Sequence, residues 1–215
     1  GQKLVGLWQM FGNSLLYAVG SAIVAAIVPC ITAYLCARFK YRFGKVVYNI
    51  VIVTMILPIV GNMPSQIVVT RALGIYDRIW GMWLINASFL GLYFLVFYNV
   101  FKALPKDFTE AAKIDGANNL QIFLRVALPV VRNTLFTVIK FIDFWNDYQT
   151  PLLLLPSSPT AAYGLYLMEK TTENAMNTVP MRMAASMIVF IPIIVIFLLL
   201  QKRLLGNLTV GGIKG

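Results

Sequence analysis

Histidine is absent from the 215 residues, cysteine occurs twice, and Asp and Glu together number eight against 18 Lys and Arg. Without histidine there is no H-E-x-x-H zinc motif and no imidazole to activate a serine or cysteine, which leaves nucleophilic and zinc chemistry without its usual parts. Cys30 and Cys36 lie six positions apart in one apolar stretch, on different faces of a helix, and read as packing residues instead of a disulfide or metal pair. No G-x-x-x-x-G-K-[ST] occurs, so no P-loop in this chain can cradle ATP phosphates. Charged residues make up only 12% of the chain and apolar ones 59%, against about 25% and about 45–50% in ordinary soluble domains. The solvent implied is a bilayer. The net charge of +10 does not argue for nucleic acid, because the basic residues gather at the ends of apolar runs instead of forming a face.

Those runs are approximately 14–37, 46–69, 80–101, 134–155 and 183–201, five stretches of membrane grade. Lys and Arg crowd the segments after the first, third and fifth: Arg38, Lys40, Arg42 and Lys45, then Lys102, Lys106, Lys113, Arg125 and Arg132, then Lys202, Arg203 and Lys214. The positive-inside rule puts these on the cytoplasmic side, the N-terminus outside and the C-terminus inside. An odd number of spans, in a chain that opens at Gly1, leads to the expectation that a first transmembrane helix is missing. The fold expected is all-α and integral to the membrane, one domain over 1–215, with five spans and a cytoplasmic insert at about 102–133. Trp8, Trp80 and Trp83 fall near expected boundaries, where aromatic belts account for them.

The insert reads as two short helices. Pro105 and Asp107 open the first, with Asp107 and Glu110 at capping-box spacing, and Ala111, Ala112 and Ile114 extend it. Asp115-Gly116 is a turn signal, since glycine accepts positive φ without steric cost. From about Ala117 a second helix carries Leu120, Phe123, Leu124 and Ala127 at helical spacing, until Leu128-Pro129 interrupts or kinks it. Two uses are open: an amphipathic helix resting on lipid headgroups, or a docking surface whose small Ala111-Ala112 pair admits close approach by another protein.

In the fourth run, Lys140, Asp143 and Asp147 stand at i, i+3 and i+7, so a helix sets them on one side. Charges at membrane depth cost about 2.5–3.5 kcal/mol each on insertion scales and face a bundle interior or a water-filled cavity. They read either as an internal Lys140–Asp143 pair or as one border of a translocation path, with Asn146, Asp147 and Tyr148 offering hydrogen bonds. Trp145 is open to stacking on a sugar or to packing the bundle. Pro58, Gly61, Asn62 and Pro64 break the second run, an arrangement that fits either a path-lining segment or a packing kink. The external segment 156–182 is polar enough to meet a soluble protein.

The run EAAKIDGANNLQIFLRVALP from Glu110 to Pro129 resembles the EAA motif of permease subunits of binding-protein-dependent ABC importers. Trp145-Asn146-Asp147-Tyr148 followed by Pro151-Leu152 resembles the carbohydrate-uptake branch, and Gly211-Gly212-Ile213-Lys214-Gly215 is similar to the ending of the maltose-type second permease subunit. Asn13-Ser14-Leu15, Ala33-Tyr34 and Ala37-Arg38 fit the same pattern. The resemblance implies a type I permease bundle in a prokaryotic inner membrane that pairs with a second permease as a heterodimer. It implies two ATPase subunits that bind the ATP and Mg, and an extracytoplasmic solute-binding protein. Glu110, Ala111, Ala112, Asp115, Gly116, Ala117, Leu128 and Pro129 would form and seat a coupling helix, and the cargo would be a sugar or oligosaccharide. A polyol, a glycerol phosphate or another solute is the alternative cargo, and an ATP-independent relay through Lys140, Asp143 and Asp147 the alternative machine.

Overall fold

The computed structural model describes residues 5–39, 42–57, 61–131, 135–170 and 178–205. All regular structure among them is helical. In chain order it comprises α1 Leu7–Arg38, α2 Arg42–Ile56, α3 Met63–Ala72, α4 Ile79–Ile85, α5 Leu92–Ala103, α6 Lys106–Ile114 and α7 Asn119–Ile122. A π-helical turn, Phe123–Ala127, leads into α8 Leu128–Val131, followed by α9 Leu135–Asn146, α10 Gln149–Leu154, α11 Ala161–Lys170 and α12 Val179–Leu205.

Among the described residues, the helices long and apolar enough to cross a membrane are α1 and, over Val179–Leu199, α12. At 1.5 Å per residue the 32 residues of α1 reach about 48 Å, more than the roughly 30 Å of a hydrocarbon core. The other three expected spans are divided: a break in the second was expected from Pro58, Gly61, Asn62 and Pro64, while those in the third and fourth correct their reading as continuous helices. The run 46–69 divides into α2 and α3 around Gly61, whose φ of 77° no helix contains. The run 80–101 divides into α4 and α5, with residues 86–91 non-helical and Gly91 at φ 115°. The run 134–155 divides at Asp147-Tyr148, four residues before Pro151. Hydropathy sums side chains over a window and does not register where the backbone ladder stops. Non-helical backbone at membrane depth is tolerated where protein buries it or where it lines water.

The chain packs as two compact units: Gly1–Ala22, Met63–Asn86 and Thr137–Gly215 form one, Ile23–Asn62 and Ala87–Phe136 the other. The second has an aromatic core. Phe94, Phe97 and Phe101 recur at i, i+3 and i+7 along α5 and bury with Cys30, Ala33 and Tyr34 of α1, Val47 and Val51 of α2, and Ala127 and Val131. Tyr34 sits at the centre, its ring edge-on to Phe101 at 5.4 Å and tilted on Phe123 at 4.8 Å. Cys30 is buried and Cys36 half-buried, both as free thiols.

In the first unit, Ala18 and Ala22 of α1 pack with Phe141, Trp145, Ala161 and Val189, while Tyr17 packs with Met82, Leu154 and Leu155. Lipid supplies little hydrophobic force between helices, so close approach by small residues carries the association. Gly20 shows the effect: a Cβ there would collide with the Trp83 indole. Trp83 lies on α1 across that gap and donates from Nε1 to Leu16 O at 3.1 Å. It therefore packs against α1 while half-buried, whereas Trp8 and Trp80 stay exposed.

Candidate functional site

The insert belongs to the second unit. α5 ends at Ala103, Leu104 and Pro105 run extended, and α6 starts at Lys106. Pro105 occupies the N-cap and no side chain caps this helix, so the capping box expected between Asp107 and Glu110 does not form. Asp107 is instead one residue inside the first turn, where its charge still favours the positive end of the helix. Among the described residues Glu110 makes no hydrogen bond or ion pair, which removes self-capping as its role.

The other end of α6 closes as the sequence suggests. Gly116 adopts φ 79°, its N–H donates to Lys113 O at 3.0 Å, and Ala117 N–H donates to Ala112 O at 2.9 Å. These are the two bonds of a Schellman motif, which glycine favours because it carries no Cβ to clash at positive φ. Ala117 is part of that cap and not the start of the next helix. α7 begins at Asn119, where Asn118 and Gln121 exchange side-chain and backbone bonds in a capping box. That box was legible as Asn-x-x-Gln, and the reading placed the start elsewhere.

Pro129 lies inside α8 and the turn before it has widened to π geometry, with Leu128 N–H donating to Phe123 O. The missing N–H of Pro129 and the clash of its ring with the carbonyl of Arg125 are relieved in that turn. Leu128 packs against the aromatic core of this unit. α6 itself buries no residue: Phe108 and Ile114 are 58% and 87% exposed, and Glu110 and Ala111 are exposed beside them. Leu120 and Leu124 add further exposed apolar surface on the second limb. Patches of this kind mark surfaces that something else covers.

The polar stripe belongs to the first unit and does not stay together. Lys140 Nζ meets Asp143 Oδ2 at 3.2 Å, with both side chains partly open. Asn146 is exposed at the last position of α9 and donates to Ile142 O at 2.9 Å. Asp147 lies past the end of the helix, so the i+7 register does not apply to it. Its Oδ2 accepts from Tyr17 Oη at 2.8 Å and its Oδ1 accepts from Thr150 N–H at 3.0 Å, which satisfies the start of α10. Trp145 is 2% exposed, stacked on Phe141 at 5.5 Å and donating to Val189 O at 3.0 Å. Of the two uses open to Trp145, the structure shows packing. Tyr148 is exposed and stacks on Tyr166 with ring centroids 4.5 Å apart.

Several residues without a sequence-level role hold this unit. Asn86 donates to Ser21 Oγ at 2.9 Å, Asn13 to Pro159 O at 3.1 Å, and Ala161 N–H to Ser14 Oγ at 2.7 Å. Asp77, the non-glycine residue at positive φ (60°), accepts from Ser157 N–H. Polar residues in an apolar stretch were the available signal, and their partners lie 65 to 147 residues away. Gly61 and Asn62 are exposed and Pro64 sits in the first turn of α3, while Pro58, residues 171–177 of the external segment and Gly211–Gly215 lie outside the described residues.

Residues 25–207 match the family described as "Binding-protein-dependent transport system inner membrane component". Among curated proteins the chain is 28% identical to the melibiose/raffinose/stachyose import permease protein MelC of Bacillus subtilis, over 97% of this chain and 77% of that protein. It is 31% identical to the inner membrane ABC transporter permease protein YcjP of Escherichia coli, over 95% of this chain and 74% of that one. Among solved structures it is similar to a bacterial ABC transporter involved in the import of the acidic polysaccharide alginate. The TM-score is 0.72 at 27% identity, covering 91% of this chain and 74% of that one.

Proposed function

This chain belongs to the family of binding-protein-dependent transport inner membrane components, and from that premise we propose that it is the second permease subunit of an ATP-driven sugar or oligosaccharide importer. It is a membrane component of a transporter and not its ATPase. The cargo class follows its relatives, among them a permease named for melibiose, raffinose and stachyose. In this reading the chain crosses a prokaryotic inner membrane several times with its insert and C-terminus in the cytoplasm. It pairs with a different permease, carries two ATPase subunits that bind ATP and Mg, and receives solute from an extracytoplasmic binding protein.

One observation carries the coupling role: α6 presents Phe108, Glu110, Ala111 and Ile114 uncovered, on a helix stopped by a glycine that admits no other residue without strain. Ala111 and Ala112 let a partner backbone come close, Glu110 is free to pair with a basic residue of the ATPase, and Asp115 and Gly116 set the angle to the second limb. Leu128 and Pro129 fix how that limb leaves. Closure of the ATPase dimer would displace α6 and shift the bundle between inward- and outward-facing states.

Asp143 and Asn146, exposed on α9, with the half-buried Lys140 and with Tyr148 after the helix, would border the path, because a partly open charged pair at membrane depth needs water beside it. Asp147 is turned to Tyr17 and away from a relay with Lys140 and Asp143. The broken run at Gly61, Asn62 and Pro64 is assigned to the same path.

The double variant Glu110→Ala, Gly116→Val in the reconstituted importer tests the coupling role. It should release the ATPase or leave ATP hydrolysis without transport; coupled transport at the normal rate would refute the assignment of α6. Uptake assays with an oligosaccharide panel beginning with raffinose test the cargo. Accumulation of a polyol or glycerol phosphate alone would change the cargo class, and uptake that survives loss of the ATPase would favour an ion-driven transporter.

A further inference from the structure

The last turn of α1 holds the insert at both ends. At its entrance, Arg38 Nη1 donates to Leu104 O at 2.9 Å, and Nη2 donates to Thr109 Oγ1 at 3.0 Å. Thr109 in turn donates to Lys106 O at 2.7 Å, so a run of polar links passes from α1 into the first turn of α6. Leu104 is the C-cap of α5, and carbonyls at a helix end need outside donors. At the exit, Tyr34, one turn before Arg38, lies on Phe123 of the π turn at 4.8 Å.

The two grips differ in kind. Aromatic packing tolerates sliding, whereas a guanidinium fork fixes direction, because its donors are coplanar and rigidly spaced. No residue of α6 is buried. Among the described residues, the side-chain hydrogen bonds that carry a force on the exposed face of α6 to α1 with a fixed direction are those of Arg38.

We propose that Arg38 is a positioning residue that clamps α6 to the C-terminal half of α1, so that the two move as one body when a docked ATPase displaces α6. The inference rests on the reading of α6 as an ATPase-docking helix, and the experiment separates the two. The complex is reconstituted with its ATPase in a Cys30→Ala, Cys36→Ala background, with spin labels at Leu35 and Asp107, both outside the docking residues Glu110 to Ala117. The distance between labels is measured without nucleotide and after trapping with Mg-ATP and vanadate, and retained ATPase is quantified by pull-down.

With Arg38 intact the distance should be the same in both states. In Arg38→Gln, with the ATPase still bound, trapping should shift or double the distribution by about 5 Å, the order of one helical turn. Thr109→Val, which removes one of the two acceptors, should give a smaller shift, and Thr109→Ser should restore the single distance. An unchanged distance in Arg38→Gln overturns the clamp while leaving ATPase docking intact; should that variant fail to assemble, Thr109→Val is judged by the same criterion. A distance that already changes on trapping with Arg38 intact also overturns it. Failure of the chain with Arg38 intact to retain the ATPase would overturn the docking reading and the clamp with it.

Discussion

The two units solve the same problem by different chemistry. In the unit bearing α6, α5 is held through stacked and tilted rings, and Arg38 supplies long-range side-chain hydrogen bonds. In the unit bearing α9 and α10, breaks are closed by side chains that reach backbone or hydroxyl groups: Asp147 to Thr150, Asn86 to Ser21 and Ser14 to Ala161. A buried break leaves backbone groups that need partners, and polar side chains supply them. Polar residues in apolar stretches of this chain thus have a structural duty before any contact with cargo.

Truncating the buried ring of Trp145 tests the comparison hardest. Trp145→Ala removes the stack on Phe141 and the bond to Val189, and large-to-small core changes of this kind cost about 3–5 kcal/mol. It should give the largest fall in melting temperature of the set, with hydrogen exchange of α6 unchanged. If α6 loosens equally, the units are not energetically separable.

A matched pair follows. Tyr17→Phe leaves Asp147 Oδ2 without its donor and should cost about 1–3 kcal/mol, while Tyr34→Phe keeps every ring contact and should change stability by less than about 0.5 kcal/mol. Equal melting shifts for the two would erase the distinction between polar and aromatic closure. Gly116→Ala forces a Cβ into a left-handed conformation that meets no neighbour, so the change is local strain of about 1–2 kcal/mol. Faster amide exchange over residues 112–118, with a fall in melting temperature of a few degrees, is the expected result.

At the Lys140–Asp143 pair the effect on stability is again small. Asp143→Asn should alter stability by less than about 1 kcal/mol, since solvent-facing ion pairs contribute little. The same variant should reduce solute uptake while the complex still assembles, and normal uptake would remove Asp143 from the path.

Much of the insert was legible beforehand. The turn at Asp115-Gly116 and the sense of its two limbs depend on φ preference and 3.6-residue spacing, which act within a few residues. The helix opens at Pro105 and Lys106 as expected, but its cap was misassigned because Asp107 and Pro105 both suit a first turn, and which of them caps depends on where α5 ends. The fourth run misled for a related reason. Its helical register held through Asn146, but the turn of Asp147 out of that register depends on Tyr17, 130 residues earlier.

The sequence by itself determined the solvent, the helical class, the family and the glycine-stopped helix of the insert, because composition and short-range backbone preference are complete within the local chain. Tertiary structure decided that Trp145 packs the core, that Asp147 and Asn86 serve the helix breaks, and that Arg38 holds α6. Each rests on a contact between groups 44 to 130 residues apart, for Asp147 the bond from Tyr17 that holds it out of register, and such contacts are set by which helices pack together and invisible to any local window.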